Sequence, residues 1–558
     1  MSGTRLVNVF LVLVLRLVRL YWGRKIAVAV KNPMRVQHLL LMRIVRQNKD
    51  TTFGRKWRFD EVACYADFAR CVPVGDYESL RPYIDEEIEH RTPALTTESP
   101  HCYARTSGTT GRPKDIPITR SYLAALRGIN HTAVSYQQRV CPEAFAGSIL
   151  VIHSPAEEGT LANDKPFGSA SGMVAGATPA LIRDKYVVPN AVFSLADSRV
   201  KYLLILRLAM ARPDITYIGT ANPTTLLTLI KLYREYEVAL LKDVKAGGFF
   251  LFNTLSNEVQ SAIASRLSPL PARAAELERV HTADCVPRFA DLWPALRLVV
   301  VWTCASASIA STALRRELPL HARMLELGYL SSEFRGTFTI GKRAGSGLPT
   351  LDTHFFEFVE RDRWDRREPE FLTIDRIRKG RDYYVVVTTP SGLYRYFIND
   401  LVRVTGHLHH TPLIRFVRKG KGVTNITGEK LYENQVLEAV QKAVAEVGVA
   451  TQFVMMLADE VALCYRLYVE ADPGTRPNAT RIAQSVDARL MELNIEYLAK
   501  RESQRLCPVT AHWLAAGTAD AYKQFCIQKG QREGQFKFIA LAYRKDVIFD
   551  LDARVEAD

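Results

Sequence analysis

Residues 105–119 read Arg-Thr-Ser-Gly-Thr-Thr-Gly-Arg-Pro-Lys-Asp-Ile-Pro-Ile-Thr. Two glycines, four hydroxyls and one lysine fall in the nine residues from Thr106 to Lys114. Gly108 and Gly111 let the backbone approach a ligand closely and point N–H groups at it. Thr106, Ser107, Thr109 and Thr110 add hydroxyl donors, and Lys114 adds a mobile cation. These are the parts of a polyphosphate-binding loop. A solvated Ser/Thr/Gly turn is the plainer alternative, and Pro113-Lys114 in register tips the balance toward phosphate. A Walker A loop is excluded, because the Gly-x-x-x-x-Gly-Lys-Ser/Thr spacing is absent.

The chain of 558 residues is longer than one core supports, so two or more domains are expected. With 47% hydrophobic and 24% charged residues it has the profile of a globular protein. Its nine cysteines include no Cys-x-x-Cys pair, which argues against a zinc site or a disulfide framework and fits a reducing cytoplasm. The net charge of +15 is uneven: residues 1–60 hold thirteen Lys/Arg against two Asp, a net of +11. Without an aromatic-basic recognition motif, this basicity does not point to nucleic acid. Leu6 to Leu15, apolar except for Asn8, is too short to span a bilayer and lacks a signal-peptide cleavage site. A docked N-terminal helix over residues 1–30 is expected, with weak membrane-surface contact as the sharper alternative.

Helical spacing dominates residues 33–95, as in Val36, Leu39, Leu40, Ile44 and Val45. From about residue 145 the texture is α/β. Ser148–Ile152, Leu298–Trp302 and Tyr383–Thr389 read as continuous apolar strands between helices, which predicts mostly parallel sheets covered by helices. Arg418-Lys419-Gly420-Lys421-Gly422 is short, basic and flexible. The expected division is therefore a large domain over 1–416, a hinge over 417–424 and a small α+β lid over 425–558. The lid begins with a helix from Leu431 and strands near Phe453–Leu457 and Ala462–Val469.

Three further stretches carry chemistry. Gly328-Tyr329-Leu330-Ser331-Ser332-Glu333 offers a ring, hydroxyls and a carboxylate of the kind Mg²⁺ takes beside phosphate oxygens. Gly392 to Arg403 places Asp400 where a carboxylate can accept from ribose hydroxyls, with Arg395 or Arg403 to offset phosphate charge. Thr424-Asn425-Ile426-Thr427-Gly428-Glu429-Lys430 follows the hinge, and Gly534-Gln535-Phe536-Lys537 supplies a second mobile lysine.

The order of these motifs resembles the Gretchen Hagen-type acyl acid amido synthetases (the auxin-responsive promoter family), a branch of the adenylate-forming superfamily. The resemblance runs from about Met34 to Lys537 and includes Gln37, Asn48–Arg55, Val72-Pro73, Tyr77, Pro82–Ile84, Phe167–Gly172 and Asn494-x-x-Tyr497-x-x-Lys500-Arg501, in variants that look bacterial-type. It implies a cytoplasmic, ATP- and Mg²⁺-dependent ligase. Such an enzyme activates a small carboxylic acid as acyl-AMP and passes the acyl group to an amine or amino acid; an acyl-CoA ligase with a thiol acceptor is the alternative. Carried over by motif, Thr106 to Gly111 and Lys114 hold phosphates, Tyr329 contacts adenine, and Ser332 contacts the α-phosphate. Glu333 holds Mg²⁺, Asp400 and Arg403 bind the nucleotide, and Lys537 swings in with the lid. The chain departs from the family at Lys421-Gly422, where an acidic hinge residue is common, at Phe538, where proline is common, and at Cys304-Ala305-Ser306, which lacks a glycine. Residues 121–330 carry no transferable code for the acid, and an apolar pocket for an aromatic or aliphatic acid is expected.

Overall fold

The computed structural model describes residues 2–556 except 107–113, 176–179, 281–286, 305–306, 342–344, 367, 421, 425, 427–428, 430, 473–477, 503–505, 530, 532 and 534–535. Caps explain where its helices start. α1 spans Ser2–Lys31, and Pro33 opens the next helix, Pro33–Gln47, where its missing N–H costs nothing. Asp76 accepts from the Ser79 N–H at 3.2 Å to begin Tyr77–His90. Thr119 accepts from the Tyr122 N–H at 3.2 Å to begin Arg120–Val140. The helical character expected over 33–95 is present, with Thr51 capping a short helix, Thr52–Lys56, at the expected break.

The chain then builds two sheets in alternation. It lays down β1 (Pro100–Thr106) and β2 (Lys114–Thr119), starts a second sheet with β3 (Ser148–Ile152), and returns through β4 (Gly159–Thr160) and β5 (Pro166–Gly168). β6 (Ile215–Thr220), β7 (Leu298–Val301) and β8 (Arg323–Glu326) complete the second sheet. Its order, β3-β6-β7-β8, is parallel throughout. β7 is buried along its whole length, as its Leu-Val-Val-Val sequence requires. One core joins β3, β6 and β7 to the helices Ser198–Met210 and Pro223–Ala246.

After the short pair β9 (Thr337–Phe338) and β10 (Leu348–Pro349) come β11 (Phe355–Glu360), β12 (Phe371–Leu372), β13 (Asp382–Thr388), β14 (Tyr396–Leu408) and β15 (Thr411–Lys419). They form an antiparallel sheet of order β12-β11-β13-β14-β15. The strand expected over Tyr383–Thr389 is β13, and it sits here rather than in the parallel sheet. The link from Thr388 to Tyr396 is a hairpin, too short for the crossover that a parallel return needs.

The C-terminal unit opens with β16 (Val423–Thr424) and β17 (Leu431–Tyr432). It continues through β18 (Thr451–Asp459), β19 (Cys464–Ala471), β20 (Thr510–Trp513) and β21 (Leu541–Tyr543). A separate core packs its sheet against the helices Glu433–Glu446 and Ala479–Leu493. The segment expected as a linker is shorter than 417–424, because β15 runs to Lys419 and Val423 already pairs with Tyr432. The unit docks on the larger body through Gln441 to Ser308 Oγ at 2.9 Å, Asn222 to the Phe536 carbonyl, and Lys231 with Asp520.

Within the larger body, Arg395 pairs with Glu357 at 2.8 Å, both side chains being at most 5% exposed. Its other branch donates to the carbonyls of Ala69 and Val72, each at 2.8 Å, and Tyr65 donates to the same carboxylate at 2.9 Å. Removing one partner leaves a buried charge, so Glu357→Ala should cost about 3–5 kcal/mol. Arg403→Ala, at a partly exposed pair with Asp382, should cost about 0–1 kcal/mol. Urea unfolding midpoints of the two variants against the parent chain check this.

Candidate active site

The segment expected as a phosphate loop lies between β1 and β2, whose register ends at Thr106↔Lys114. Ser107, Gly108, Thr109, Thr110 and Gly111 lie outside the described residues, and Thr106 is placed as the last residue of β1. Lys114 extends its amine to 3.5 Å from the Tyr396 hydroxyl, and that hydroxyl reaches Glu333 Oε1 at 3.4 Å. Lysine, tyrosine and carboxylate, drawn from three separate motifs, therefore form one row.

Glu333 is held from below. Tyr122 hydrogen-bonds His354 Nε2 at 2.7 Å and approaches the Glu333 carbonyl at 3.5 Å, while Thr350 bonds His354 Nδ1 at 2.7 Å. The imidazole is fully buried, and that desolvation holds its pKa down to about 3.

Tyr329 and Asp400 meet directly, the phenol donating to Asp400 Oδ2 at 2.8 Å. The Tyr329 ring stacks on Phe416 with centroids 5.6 Å apart. Burial, then the Asp400 charge, push the phenol pKa well above its ordinary value, so it remains a donor. The turn that delivers Tyr329 needs Gly328: φ is +112°, and a Cβ there would stand 2.7 Å from the Thr337 carbonyl oxygen.

Two cavities meet at this turn. The smaller, about 60 Å³, is lined by Trp302, Cys304, Glu326, Tyr329, Asp400 and Lys537 among others. The larger, about 880 Å³, is walled mainly by apolar side chains from α1, from Arg120–Val140 and from the parallel sheet. Leu330 and Ser331 belong to both, and Ser332 lines the larger one. The stretch from Tyr329 to Ser332 is thus the partition between them, and Glu333 follows it directly in the chain.

Lys537 reaches the smaller cavity from the C-terminal unit, its amine 4.1 Å from the centre of the Trp302 ring. Two arginines serve elsewhere. Arg395 is consumed by Glu357, and Arg403 is bound across the strand pair by Asp382 at 2.6 and 2.8 Å. Cys304 remains a thiol, because burial and then Glu326 push its pKa to about 12.

The structure adds three groups that the motifs did not single out. Glu326, at the end of β8, accepts from Thr303 N–H and Oγ1 at 2.7 and 2.6 Å and fixes the loop after β7. Ser331 Oγ, on the partition, has no hydrogen-bond partner among the described residues. Arg335 lines the larger cavity; Nη1 donates to Asn130 at 3.1 Å, while Nε and Nη2 have no partner among the described residues. Burial lowers its pKa to about 10, so it stays cationic, and no ion pair to it is found among the described residues. Ser331 lies within the Ser-Ser-Glu run and Arg335 next to it, so both carried a usable sequence signal, whereas Glu326 did not. Among the described residues, no group of three His, Cys, Asp or Glu side chains is arranged to hold a metal ion.

Residues 23–319 match the GH3 family N-terminal domain, 347–419 its central domain and 434–545 its C-terminal domain. The chain belongs to the GH3 family. A relative named indole-3-acetic acid-amido synthetase GH3.10, from Arabidopsis thaliana, is 23% identical over 91% of this chain and 92% of its own length. A jasmonoyl–L-amino acid synthetase from Nicotiana attenuata is 22% identical over 80% of this chain and 78% of its own. Among solved structures, the GH3.15 acyl acid amido synthetase superposes with a TM-score of 0.83 at 21% identity, covering 96% of each chain. A 2-hydroxyisobutyryl-CoA ligase in complex with its acyl-AMP superposes with a TM-score of 0.55 at 13% identity, covering 91% of this chain and 88% of that one. The GH3 fold here is therefore the mixed α/β fold of adenylate-forming enzymes, with a large N-terminal body and a smaller C-terminal unit.

His354 gives the GH3 site a pH signature. Its folded pKa lies below the unfolded value of about 6.5, so the unfolded chain binds the extra proton. The contribution is complete above about pH 6.5 and is lost at about 1.4 kcal/mol per pH unit as pH falls toward 3. Urea titrations at a series of pH values should show this acid limb, flattened by about that slope in His354→Gln.

Proposed function

We propose that this chain is an ATP-dependent acyl acid amido synthetase. The observation that carries the reading is the partition at Tyr329–Ser332. On one side lies a small recess bearing Asp400 and Lys537, and on the other a roomy, mainly apolar cavity with the Arg335 guanidinium in its wall. An acid held in the larger cavity would have its carboxylate at the partition, where Ser331 and Ser332 offer hydroxyls. Asp400 would accept from ribose hydroxyls, and the Tyr329 ring would border the base. Lys114 and Lys537 would offset phosphate charge.

Glu333 fits Mg²⁺, since this ion takes one or two carboxylates and completes its shell with phosphate oxygens and water. When bound there it would draw charge from the phosphates. The remaining work is positioning and charge stabilisation by fixed groups. A carboxylate oxygen attacks the α-phosphorus and pyrophosphate leaves; an amine nitrogen then attacks the acyl carbon and AMP leaves. The relatives' names support an amino acid as the amine. Rotation of the C-terminal unit about Gly420–Gly422 would exchange Lys537 for the acceptor between the two steps.

Acid-dependent pyrophosphate release from Mg-ATP, stimulated by amino acids, is the expected result; stimulation by coenzyme A alone would move the chain to the acyl-CoA ligases. Glu333→Ala should lower this release by at least about a hundredfold, in the range seen when a charge-stabilising group is removed, with an unchanged circular dichroism spectrum. Full activity in that variant would remove Glu333 from the site.

A further inference from the structure

We propose that α1 docks this protein on an anionic lipid surface, and that the cavity it walls takes a lipophilic carboxylic acid from that surface. The substrate half rests on the adenylating reading above; the docking half does not.

The two faces of α1 make opposite contacts. Leu11, Val14, Leu15 and Val18 line the 880 Å³ cavity, with Leu11 and Leu15 each only 6% exposed. On the other side Phe10, Leu13, Leu17, Leu20, Tyr21 and Val28 are 45–65% exposed. Steps of three and four residues set the first five on one stripe of the helix, and Val28 lies on the same line seven residues beyond Tyr21, with Arg24 between them. Exposed apolar residues scattered singly are ordinary, whereas a contiguous stripe is an interaction surface. The cavity and the stripe are separated by one helix, about 10 Å across.

Charge selects the occupant. α1 carries Arg5, Arg16, Arg19, Arg24, Lys25 and Lys31, and no acidic residue precedes Asp50. A second copy of the chain would set these cations against their own kind, with no carboxylate on the helix to meet them. A polyanion such as nucleic acid would leave the apolar stripe unused. An anionic bilayer satisfies both features: the stripe enters the acyl boundary and the flanking cations meet headgroups. The helix does not cross the membrane, since among the described residues no helix is long and apolar enough to do so. An enzyme seated this way, with a roomy apolar cavity directly behind the docking helix, is arranged for acids that partition into lipid.

The test is co-sedimentation of the full chain with phosphatidylcholine vesicles with and without phosphatidylglycerol. Binding should require phosphatidylglycerol and fall with salt. It should weaken at least about tenfold in Leu17→Asp/Leu20→Asp and in Arg16→Glu/Arg24→Glu. These side chains face outward, and pyrophosphate release with a water-soluble acid should survive in both variants. No binding by the parent chain, or equal binding by both variants, would overturn the docking. So would a dimer in light scattering that the leucine variant converts to monomer. For the substrate half, kcat/KM for pyrophosphate release should rise along a series of straight-chain acids of increasing length. A preference for short polar acids would overturn that half alone. Absence of release with every acid would instead remove the adenylating reading on which it rests, leaving the vesicle result standing.

Discussion

A buried guanidinium–carboxylate pair, Arg395 with Glu357, fixes the strand on which the site is built. Arg395 sits at φ +42°, a left-handed conformation that costs a non-glycine residue about 1–3 kcal/mol and persists only where the surroundings impose it. Here they do: the side chain is bound by Glu357 on β11 and by two carbonyls from the helical N-terminal region. One residue later β14 begins with Tyr396, and four residues further on it delivers Asp400. A shift in this pair would move both.

Around that strand the site is assembled from distant parts. Tyr329 arrives on the turn after β8, Lys114 at the start of β2, and Lys537 from the other unit. What unites them is the partition between a small recess that bears Asp400 and Lys537 and a larger, mainly apolar cavity. Such a division suits a reaction that brings a charged nucleotide and an apolar acid together at one carboxylate. The cations nearby are not equivalent. Arg395 and Arg403 are spent on structure, whereas Arg335 is held inside the cavity wall with two nitrogens that find no partner among the described residues, a costly arrangement unless an anion comes to it.

Several residues that carried the family resemblance have structural duties. Gln37 donates to the Leu351 and His354 carbonyls at 2.6 and 2.7 Å and accepts from the Phe356 N–H at 2.8 Å, tying the second helix to β11. Asn48 accepts from the Thr97 N–H at 3.0 Å, and Phe53 stacks on Tyr394 with centroids 4.6 Å apart. Asp487 clamps Tyr497 and Arg501 in the C-terminal unit. A polar signature in a sequence thus marks buried polar groups that must be satisfied as readily as it marks ligand contacts.

By itself the sequence determined what is local. The helical character from residue 33 on, the buried strands at 148–152 and 298–301, and the chemistry-bearing stretches at 328–333 and 392–403 follow from periodicity and residue chemistry. It left open everything that depends on contacts between distant residues. Tyr383–Thr389 is as apolar as a parallel strand, and only its hairpin partner made it antiparallel. Arg403 is as suitable for a phosphate as any arginine, until the β13–β14 register sets it opposite Asp382. Lys537 gains a place at the recess through tertiary contacts, among them those of Asn222, Ser198, Lys231 and Ser308, that hold its unit against the larger body. The exposed stripe of α1 follows the same logic: periodicity gave the helix two apolar faces, and packing against Arg120–Val140 and the cavity decided which one stayed outside.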